Sequence, residues 1–258
     1  MRLALGVEYD GTDFAGWEAQ PGQRTIQGVV EAALSRVADH PVRVVCAGRT
    51  DAGVHAWGQV VHFDTEARRS DRSWLLGGNA NLPADVAFAW VRPVPGDFDA
   101  RRSARRRRYR YLIYNHPLRP ALLRTRVAWE CRPLALEPMQ LAAGHLLGEH
   151  DFSAFRATAC QARSPVRRID RLEVTRRGRL VALEVTANAF LHHMVRNIAG
   201  VLIAVGLGQH GPGWTHEVLL ARERRLGGVT APAEGLYLVE VSYPERYQLA
   251  PVPPPAWL

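Results

Sequence analysis

The sequence predicts an α+β protein built from two successive βαββαβ units. Three observations support this fold class. Apolar residues alternate with polar ones in some short segments, as in half-buried strands, and recur at helical spacing in others. These segments follow the same order in both halves of the chain. Apolar residues also make up 47% of the 258 residues, enough to bury a core in each half.

The first half contains four strand segments and two helical segments. Alternating apolar residues predict the first strand over 3–9, and a helix follows from Ile26 with Thr25 as its N-cap. In chain order, we then expect strands over 42–47 and 57–63, a helix over 71–79 and a strand over 85–94. We place the first domain at residues 1–100.

The second half repeats this order with one additional helix. In chain order, we expect a strand over 105–115, a helix over 138–147, strands over 168–176 and 180–187, helices over 190–206 and 215–225, and a strand over 236–243. The repeated order predicts two ferredoxin-like halves related as a pseudo-repeat. The second half would span 101–245, and a proline-rich tail over 246–258 would be extended and poorly folded.

The charge of the chain predicts an anionic partner. Its 33 basic residues against 25 acidic ones give a net charge of +8, and all 33 are arginine. The arginine fork fits phosphate, and without lysine the chain has no Schiff-base lysine.

The composition also argues against several other classes of protein. Three cysteines far apart, without CxxC spacing, predict neither a disulfide framework nor a cysteine zinc site. The start of the chain meets Glu8 too early for a signal peptide, and no apolar run is long enough to cross a bilayer. We therefore expect a cytoplasmic protein with no membrane partner.

The segment "GRTDAGVH" is the first candidate site. Asp51 lies between Gly48 and Gly53, with Arg49 before it and His55 after it, on a loop between two predicted strands. An aspartate in such a turn often only bonds its own backbone. The added Arg and His favour a functional loop, since functional residues often lie on loops held by rigid strands. Arg49 would hold Asp51 ionised, which suits a nucleophile or a base.

Seven arginines in the ten residues 101–110 form the second candidate. A solvated basic stretch is the simpler alternative. The run continues into a strand on which Arg107, Tyr109, Tyr111 and Ile113 share one face. Arginines beside an aromatic ring suit phosphate contact combined with base stacking.

The third candidate is "NAFLHHMVRNIAG", 188–200, predicted to lie on an apolar helix. Arg196 near the start of that helix opposes the helix dipole, which an anionic partner would explain; an ordinary surface arginine is the alternative. His192 and His193 would point about 100° apart on a helix, so we expect no metal site there.

Taken together, these segments resemble the TruA-type tRNA pseudouridine synthases over nearly the whole chain. The matching segments are "YDGTDFAGW" (9–17), "RTIQG" (24–28), "AGRTDAGVHAWGQVVHFD" (47–64), "RRYRYLIYN" (107–115), "NAFLHHMVRNIAG" (188–200) and "APAEGLYL" (231–238). One departure is Glu18, where the family pattern leads us to expect glutamine.

The resemblance implies roles for individual residues in this sequence. Asp51 matches the catalytic aspartate, and Arg49 and Arg196 match arginines placed around it. Tyr109 matches the tyrosine that stacks on the uracil, and Leu236 the apolar residue that packs against the base. The site would lie in the central cleft between the halves.

The resemblance also implies a reaction and its partners. The enzyme would isomerise uridine to pseudouridine at positions 38, 39 and 40 of the tRNA anticodon stem-loop, without a metal or an organic cofactor. A homodimer would bind the tRNA. The arginine density further predicts phosphate contacts from Arg101, Arg102 and Arg105.

Two rival functions are less well supported. A non-catalytic RNA-binding module is possible for a ferredoxin-like fold, but the aromatic signature of an RRM is not visible on the predicted strands. A phosphate-handling enzyme would need a P-loop or a carboxylate cluster for Mg²⁺, and the sequence has neither.

Overall fold

A computed structural model of the chain describes residues 1–255. Within them it contains ten β-strands and five α-helices, which confirms the α+β class. The strands are β1 (Arg2–Tyr9), β2 (Val45–Cys46), β3 (His55–Asp64), β4 (Val86–Val94), β5 (Arg106–Asn115), β6 (Ala128–Glu130), β7 (Gly148–Asp151), β8 (Val166–Arg177), β9 (Leu180–Ala187) and β10 (Leu236–Ser242). The helices are α1 (Ile26–Ala38), α2 (Asp71–Asn81), α3 (Leu136–Gly144), α4 (Met194–Gly206) and α5 (Trp214–Ala221).

Every strand and helix expected from the sequence is present, with ends that differ by a few residues. Two strands were not expected, β6 and β7. They have three and four residues, too few for an alternating pattern to be recognised.

The chain divides into two compact units that differ from the predicted halves. The first unit contains Met1–Arg107 together with the described chain from Tyr237, and the second contains Arg108–Leu236. Nearly all of β10 therefore belongs to the first unit, whereas the sequence placed it in the second half. The difference has a physical reason, because Tyr237 and Leu238 pair in parallel with the start of β3.

The sheet of the first unit is built around β1 and β3. β1 pairs with β3 on one side and with β4 on the other, both antiparallel, and β2 pairs antiparallel with the far edge of β3. The strand order is therefore β4-β1-β3-β10, with β2 paired to β3 off this path. α1 packs against α2 and α2 against β4, and Leu5 and Trp74 are among the fully buried side chains of this core.

β2 is much shorter than the predicted strand over 42–47. The N–H of Val42 donates to Ser35 Oγ at 2.9 Å, and the N–H of Val44 donates to Glu31 Oε1 at 3.0 Å. The N–H groups of Val42 and Val44 thus bond to side chains of α1, whereas in a longer strand they would bond to a neighbouring strand. Thr25 caps α1 as predicted, since its side chain accepts from the N–H of Gly28.

In the second unit the strand order is β5-β9-β8-β7, with β6 pairing in parallel to β5. β8 and β9 form an antiparallel hairpin through a turn at Gly178 and Arg179. α3 packs on β8 and against α4 and α5. α4 is buried along most of its length, which fits its apolar sequence.

α4 begins four residues later than predicted. His193 has a φ of 62°, a left-handed conformation outside the α-helical region, so the helix begins only at Met194. Leu191 and His193 continue the helical spacing in the sequence, but they precede the helix. The argument that His192 and His193 would diverge by 100° on a helix was therefore wrong, and their ring centroids lie 4.1 Å apart.

The described part of the proline-rich tail, up to residue 255, lies against its own unit. Trp57 Nε1 donates to the carbonyl of Val252 at 3.2 Å, and residues 249–252 help to enclose a cavity of about 170 Å³ beside Trp57 and Trp90. The tail predicted from residue 246 begins within a 3₁₀ turn, Glu245–Tyr247, and residues 248–255 have no regular secondary structure. The rest of the predicted tail, 256–258, lies outside the described residues. Among the described residues, no helix is long and apolar enough to span a membrane.

Candidate active site

The loop that carries Asp51 connects β2 to β3 in the first unit and runs over residues 47–54. It ends in a tight turn, in which the N–H of Val54 donates to the carbonyl of Asp51 at 3.2 Å. Gly53, the third residue of that turn, has a φ of 78°. A type II turn needs this positive φ, which glycine adopts without strain. The turn presents the half-buried side chain of Asp51.

Segment 10–17, from the motif "YDGTDFAGW", packs directly on this loop. The N–H of Trp17 donates to the carbonyl of Thr50 at 3.0 Å. Gly11 lies so close that a Cβ there would sit 2.0 Å from the carbonyl oxygen of Val54. A side chain at residue 11 would therefore push the two segments apart. Sequence reasoning gave this motif no structural role, although its glycines are a signal of close backbone approach.

His55 is a structural residue, contrary to its interpretation as a polar group on the loop. It is the first residue of β3 and only 1% exposed. Its Nδ1 accepts from the N–H of Gly11 at 3.1 Å, and Asp10 Oδ1 lies 3.1 Å from the same atom. Its ring stacks on Tyr237 at 4.7 Å. His55 thus fixes the 10–17 segment beside the loop.

Arg49 has a partner that the sequence did not predict. Its Nε lies 2.6 Å from the carboxylate of Glu18, the residue that departs from the family pattern. The guanidinium of Arg49 is therefore engaged by Glu18, and its role beside Asp51 stays a prediction.

The arginine run divides into exposed and engaged residues. Arg101, Arg102 and Arg105 are exposed, as phosphate contacts require. The backbone N–H groups of Arg101 and Arg102 both donate to Asp99 Oδ1, at 2.9 and 2.8 Å. Burial raises the pKa of Asp99, but these two hydrogen bonds and the charges of His62 and Arg102 together leave the pKa below its usual value. The chain at 99–102 is thereby held in one conformation.

Arg107 is buried and is not a surface contact for phosphate. Only 8% of it is exposed. Its Nε and Nη2 donate to the carbonyl of Ala47 at 3.2 and 2.9 Å, and Nη2 also donates to the carbonyl of Arg101 at 2.8 Å. Arg107 therefore links the start of the Asp51 loop to the start of the arginine run.

The last two arginines of the run belong to the second unit. Arg108 Nη1 lies 3.4 Å from Glu184 Oε2, and Arg110 Nε donates to the same oxygen at 3.0 Å. Burial raises the pKa of Glu184, but the hydrogen bond from Arg110 and the charges of Arg110, Arg108 and Arg171 outweigh it and lower the pKa. These arginines are thus part of the fold of β5 and β9.

Tyr109 lies on β5, where its predicted companions on one face, Arg107, Tyr111 and Ile113, are all buried, as is Leu112. Tyr109 is 7% exposed and packs edge-on against Phe190, with ring centroids 4.9 Å apart and planes at 81°. The next tyrosine on that face, Tyr111, is fully buried and donates its hydroxyl to the carbonyl of Pro232 at 2.8 Å.

Arg196 and Leu236 are connected through the segment 231–236. Arg196 Nε donates to the carbonyl of Ala231 at 2.8 Å, and the N–H of Ala231 donates back to the carbonyl of Arg196 at 3.1 Å. A 3₁₀ turn over Ala233–Gly235 then leads into Leu236, which is 6% exposed. The second unit therefore joins three motifs that are far apart in the sequence, those of Tyr111, Arg196 and Leu236.

Comparison with known proteins identifies the class. A family model described as tRNA pseudouridine synthase matches residues 6–101 and 142–244. Curated proteins named tRNA pseudouridine synthase A are similar over almost the whole chain. That of Methylococcus capsulatus is 61% identical over 250 residues, covering 97% of this chain and 92% of its own. That of Alcanivorax borkumensis is 58% identical, covering 100% and 97%, and that of Coxiella burnetii 57%, covering 98% and 97%.

The chain belongs to the tRNA pseudouridine synthase family. It is an isomerase that acts on uridine in tRNA. This confirms the resemblance drawn from the motifs and excludes the two rival functions.

Proposed function

We propose that the enzyme isomerises uridines 38, 39 and 40 of the tRNA anticodon stem-loop and that Asp51 is its catalytic residue. The observation that carries the proposal is the construction of the Asp51 loop. A tight turn, a neighbouring segment and a buried arginine all fix the loop backbone, whereas the side chain of Asp51 stays partly accessible. Such rigidity is expected where a reactive group must be held in position.

The reaction breaks the N1–C1′ bond, turns the uracil and joins C5 to C1′, so the C5 hydrogen is lost to water. The carboxylate of Asp51 has two possible tasks, attack on C1′ or removal of the C2′ proton to give a glycal. A primary isotope effect with uridine deuterated at C2′ distinguishes the second task from the first.

The remaining site residues would act on the base and the backbone of the same uridine. A paired base must leave the helix first, at a cost of a few kcal/mol. We propose that Tyr109 stacks on the displaced uracil and Leu236 packs against it. Arg49 and Arg196 would contribute positive charge near the reacting nucleotide, and phosphate contacts would help to offset the cost of displacement.

We further propose that the units are two ferredoxin-like halves. In the first unit, the order β4-β1-β3, with β2 paired antiparallel to β3 and two helices, supports this proposal for that unit. The enzyme would work in the cytoplasm as a homodimer, and light scattering of the purified protein measures its mass directly.

The test is tritium release from tRNA labelled at C5 of uridine, with EDTA present. Three transcripts that keep a single uridine at position 38, 39 or 40 measure each position separately. We expect release from all three, and release from other positions alone would contradict the proposed specificity. Loss of release in EDTA, restored by a divalent metal, would contradict metal-independent catalysis.

Asp51→Asn should abolish release while tRNA binding and the melting temperature stay close to wild type. Asp39→Asn is the matched control, because Asp39 caps α1 with a φ of 61° and asparagine tolerates that conformation. Turnover by Asp51→Asn within tenfold of wild type would overturn the catalytic assignment.

A further inference from the structure

We infer that Gln59 is a positioning residue that holds the Asp51 loop in its reactive conformation, acting through Gly48 and Tyr9. The inference rests on the proposed role of Asp51 and adds a residue that nothing above assigns to the reaction. Gln59 lies on β3, opposite Val7 of β1, and none of its surface is exposed.

One side-chain amide holds both backbone groups of Gly48. Gln59 Nε2 donates to the carbonyl of Gly48 at 2.6 Å, and the N–H of Gly48 donates to Gln59 Oε1 at 3.4 Å. Because donor and acceptor of the same residue are bonded to one rigid group, Gly48 has little freedom to rotate. Glutamine is suited to this task, since its amide carries both functions.

The side-chain amide of Gln59 is also linked, through Tyr9, to Thr50, the residue that follows Arg49. Gln59 Nε2 also donates to the hydroxyl of Tyr9, at 3.4 Å, and that hydroxyl lies 2.8 Å from Thr50 Oγ1. Tyr9 and Thr50 are 3% and 8% exposed. Thr50 directly precedes Asp51 in the chain. A buried hydrogen-bond chain therefore fixes residues 48 and 50.

The effect of this chain should fall on the chemical step. Because Gln59, Tyr9 and Thr50 are buried, the tRNA does not need to touch them in order to bind. A displacement of about 1 Å at a reacting group can cost about 10²-fold in rate. We therefore expect variants of Gln59 to lower kcat and leave the Kd for tRNA near that of wild type.

Gln59→Glu gives a readout that a purely structural role would not produce. A protonated glutamic acid still donates to the carbonyl of Gly48 and accepts from its N–H. An ionised carboxylate has no hydrogen to donate and repels that carbonyl. Burial raises the pKa of such an acid, so the variant should be most active at low pH. We expect its single-turnover rate, relative to wild type, to fall at least about tenfold from pH 6 to pH 9.

Gln140→Glu is the matched control, since Gln140 Nε2 also donates to a backbone carbonyl, that of Val174, but on the outside of the second unit. Its pH–rate profile should follow wild type. Tyr9→Phe removes only the hydroxyl between Gln59 and Thr50, and should lower kcat without changing the Kd for tRNA. If Gln59→Glu does not fold, the Tyr9→Phe variant alone tests the positioning role.

These experiments distinguish failure of the Gln59 inference from failure of the proposed function. If Asp51→Asn is inactive but Gln59→Glu keeps the wild-type pH profile, the positioning role of Gln59 is wrong and the catalytic role of Asp51 stands. If Gln59→Glu and Tyr9→Phe lose tRNA affinity in proportion to rate, the role is likewise wrong. If Asp51→Asn is active, the proposed function itself fails.

Discussion

Arg49 and Glu18 form an ion pair at the edge of the Asp51 loop, with 2.6 Å between Nε and the carboxylate. The two side chains are 52% and 46% exposed, so solvent screens the pair and it contributes little to stability. Its importance is electrostatic. If Arg49 has its proposed role, Glu18 would compete with any anionic group of the substrate for the guanidinium of Arg49.

Glu18→Gln should therefore make the enzyme faster. Removing the carboxylate frees Arg49 for the substrate and removes a negative charge that repels RNA. Since exposed ion pairs are worth about 0–1 kcal/mol, we expect kcat/KM for tRNA to rise by up to about fivefold. Steady-state tritium release measures the change. Glu66→Gln, an exposed glutamate in the same unit, controls for net charge. A fall in kcat/KM would mean that Glu18 instead holds Arg49 in a productive position.

Replacing Arg101, Arg102 and Arg105 together by glutamine should flatten the salt dependence of tRNA binding. All three are exposed, and each phosphate contact contributes about −0.7 to −0.9 to the slope of log K against log salt. We expect the slope to become shallower by about 2 to 3, as measured by filter binding at several salt concentrations.

The matched control is the triple replacement of Arg36, Arg68 and Arg72, which are exposed in the same unit and remove the same charge. Equal slopes for the two triple variants would show that only net charge matters. A wild-type slope for the 101/102/105 variant would assign the phosphate surface to other residues.

Tyr109→Leu and Tyr109→Phe separate stacking from packing. Stacking of a base on an aromatic ring is worth about 1–3 kcal/mol by substitution to alanine, so the leucine variant should engage the displaced uracil about 5- to 150-fold more weakly. Phenylalanine keeps the ring and should retain most of the binding. Slow turnover by the phenylalanine variant would add a role for the hydroxyl in proton transfer.

Melting temperatures are needed beside these rates, because Tyr109 also packs on Phe190 and its loss disturbs the core. Tyr111→Phe is the control, as it removes a hydroxyl from the neighbouring buried tyrosine. Full single-turnover activity in a stably folded Tyr109→Leu protein would exclude the ring from the site.

Glu184→Gln should destabilise the protein at neutral pH and much less in acid. The pKa of Glu184 is lowered on folding, so its contribution is complete above the ordinary pKa of about 4.3 and is lost as pH falls through the lower folded value. Since Arg108 and Arg110 would lose a half-buried charged partner, we expect a loss of about 1–3 kcal/mol at pH 7.

Urea unfolding of wild type and variant at pH 7 and pH 3 measures this difference. Glu173→Gln, which removes an exposed partner of Arg171, should change stability little at either pH. A gap between wild type and Glu184→Gln that is as large at pH 3 as at pH 7 would mean that packing, not charge, is responsible.

Local sequence patterns predicted most of the fold, because apolar periodicity and capping act over a few residues. Thr25 is an example, since a threonine before an apolar helix is itself the cap. The start of α4 was misplaced because the left-handed backbone at His193 leaves no mark on the periodicity. The shortening of β2 depends on Glu31 and Ser35, whose side chains reach it only in the folded chain.

The sequence named the candidate site residues, whose roles stay predictions, but it did not indicate the contacts that support them. The sequence indicated Asp51 through its flanking glycines and its motif. It gave no sign that His55 would bind Gly11 and stack on Tyr237, because that ring lies 182 positions away in the chain. The same holds for Arg49 and Glu18, whose pairing requires the 10–17 segment to lie on the loop.

The guanidinium of Arg107 donates to the carbonyls of Ala47 and Arg101, so on the proposed roles it would couple phosphate binding by the arginine run to the conformation of the Asp51 loop. A phosphate that stabilises the backbone of the run at Arg101 would then also stabilise the start of the Asp51 loop at Ala47. By the same linkage, a loop held in its reactive conformation would favour phosphate binding by an equal free energy. Binding of the tRNA backbone would then favour the reactive loop before the glycosidic bond breaks. A free nucleoside, which carries no phosphate, would be a poor substrate.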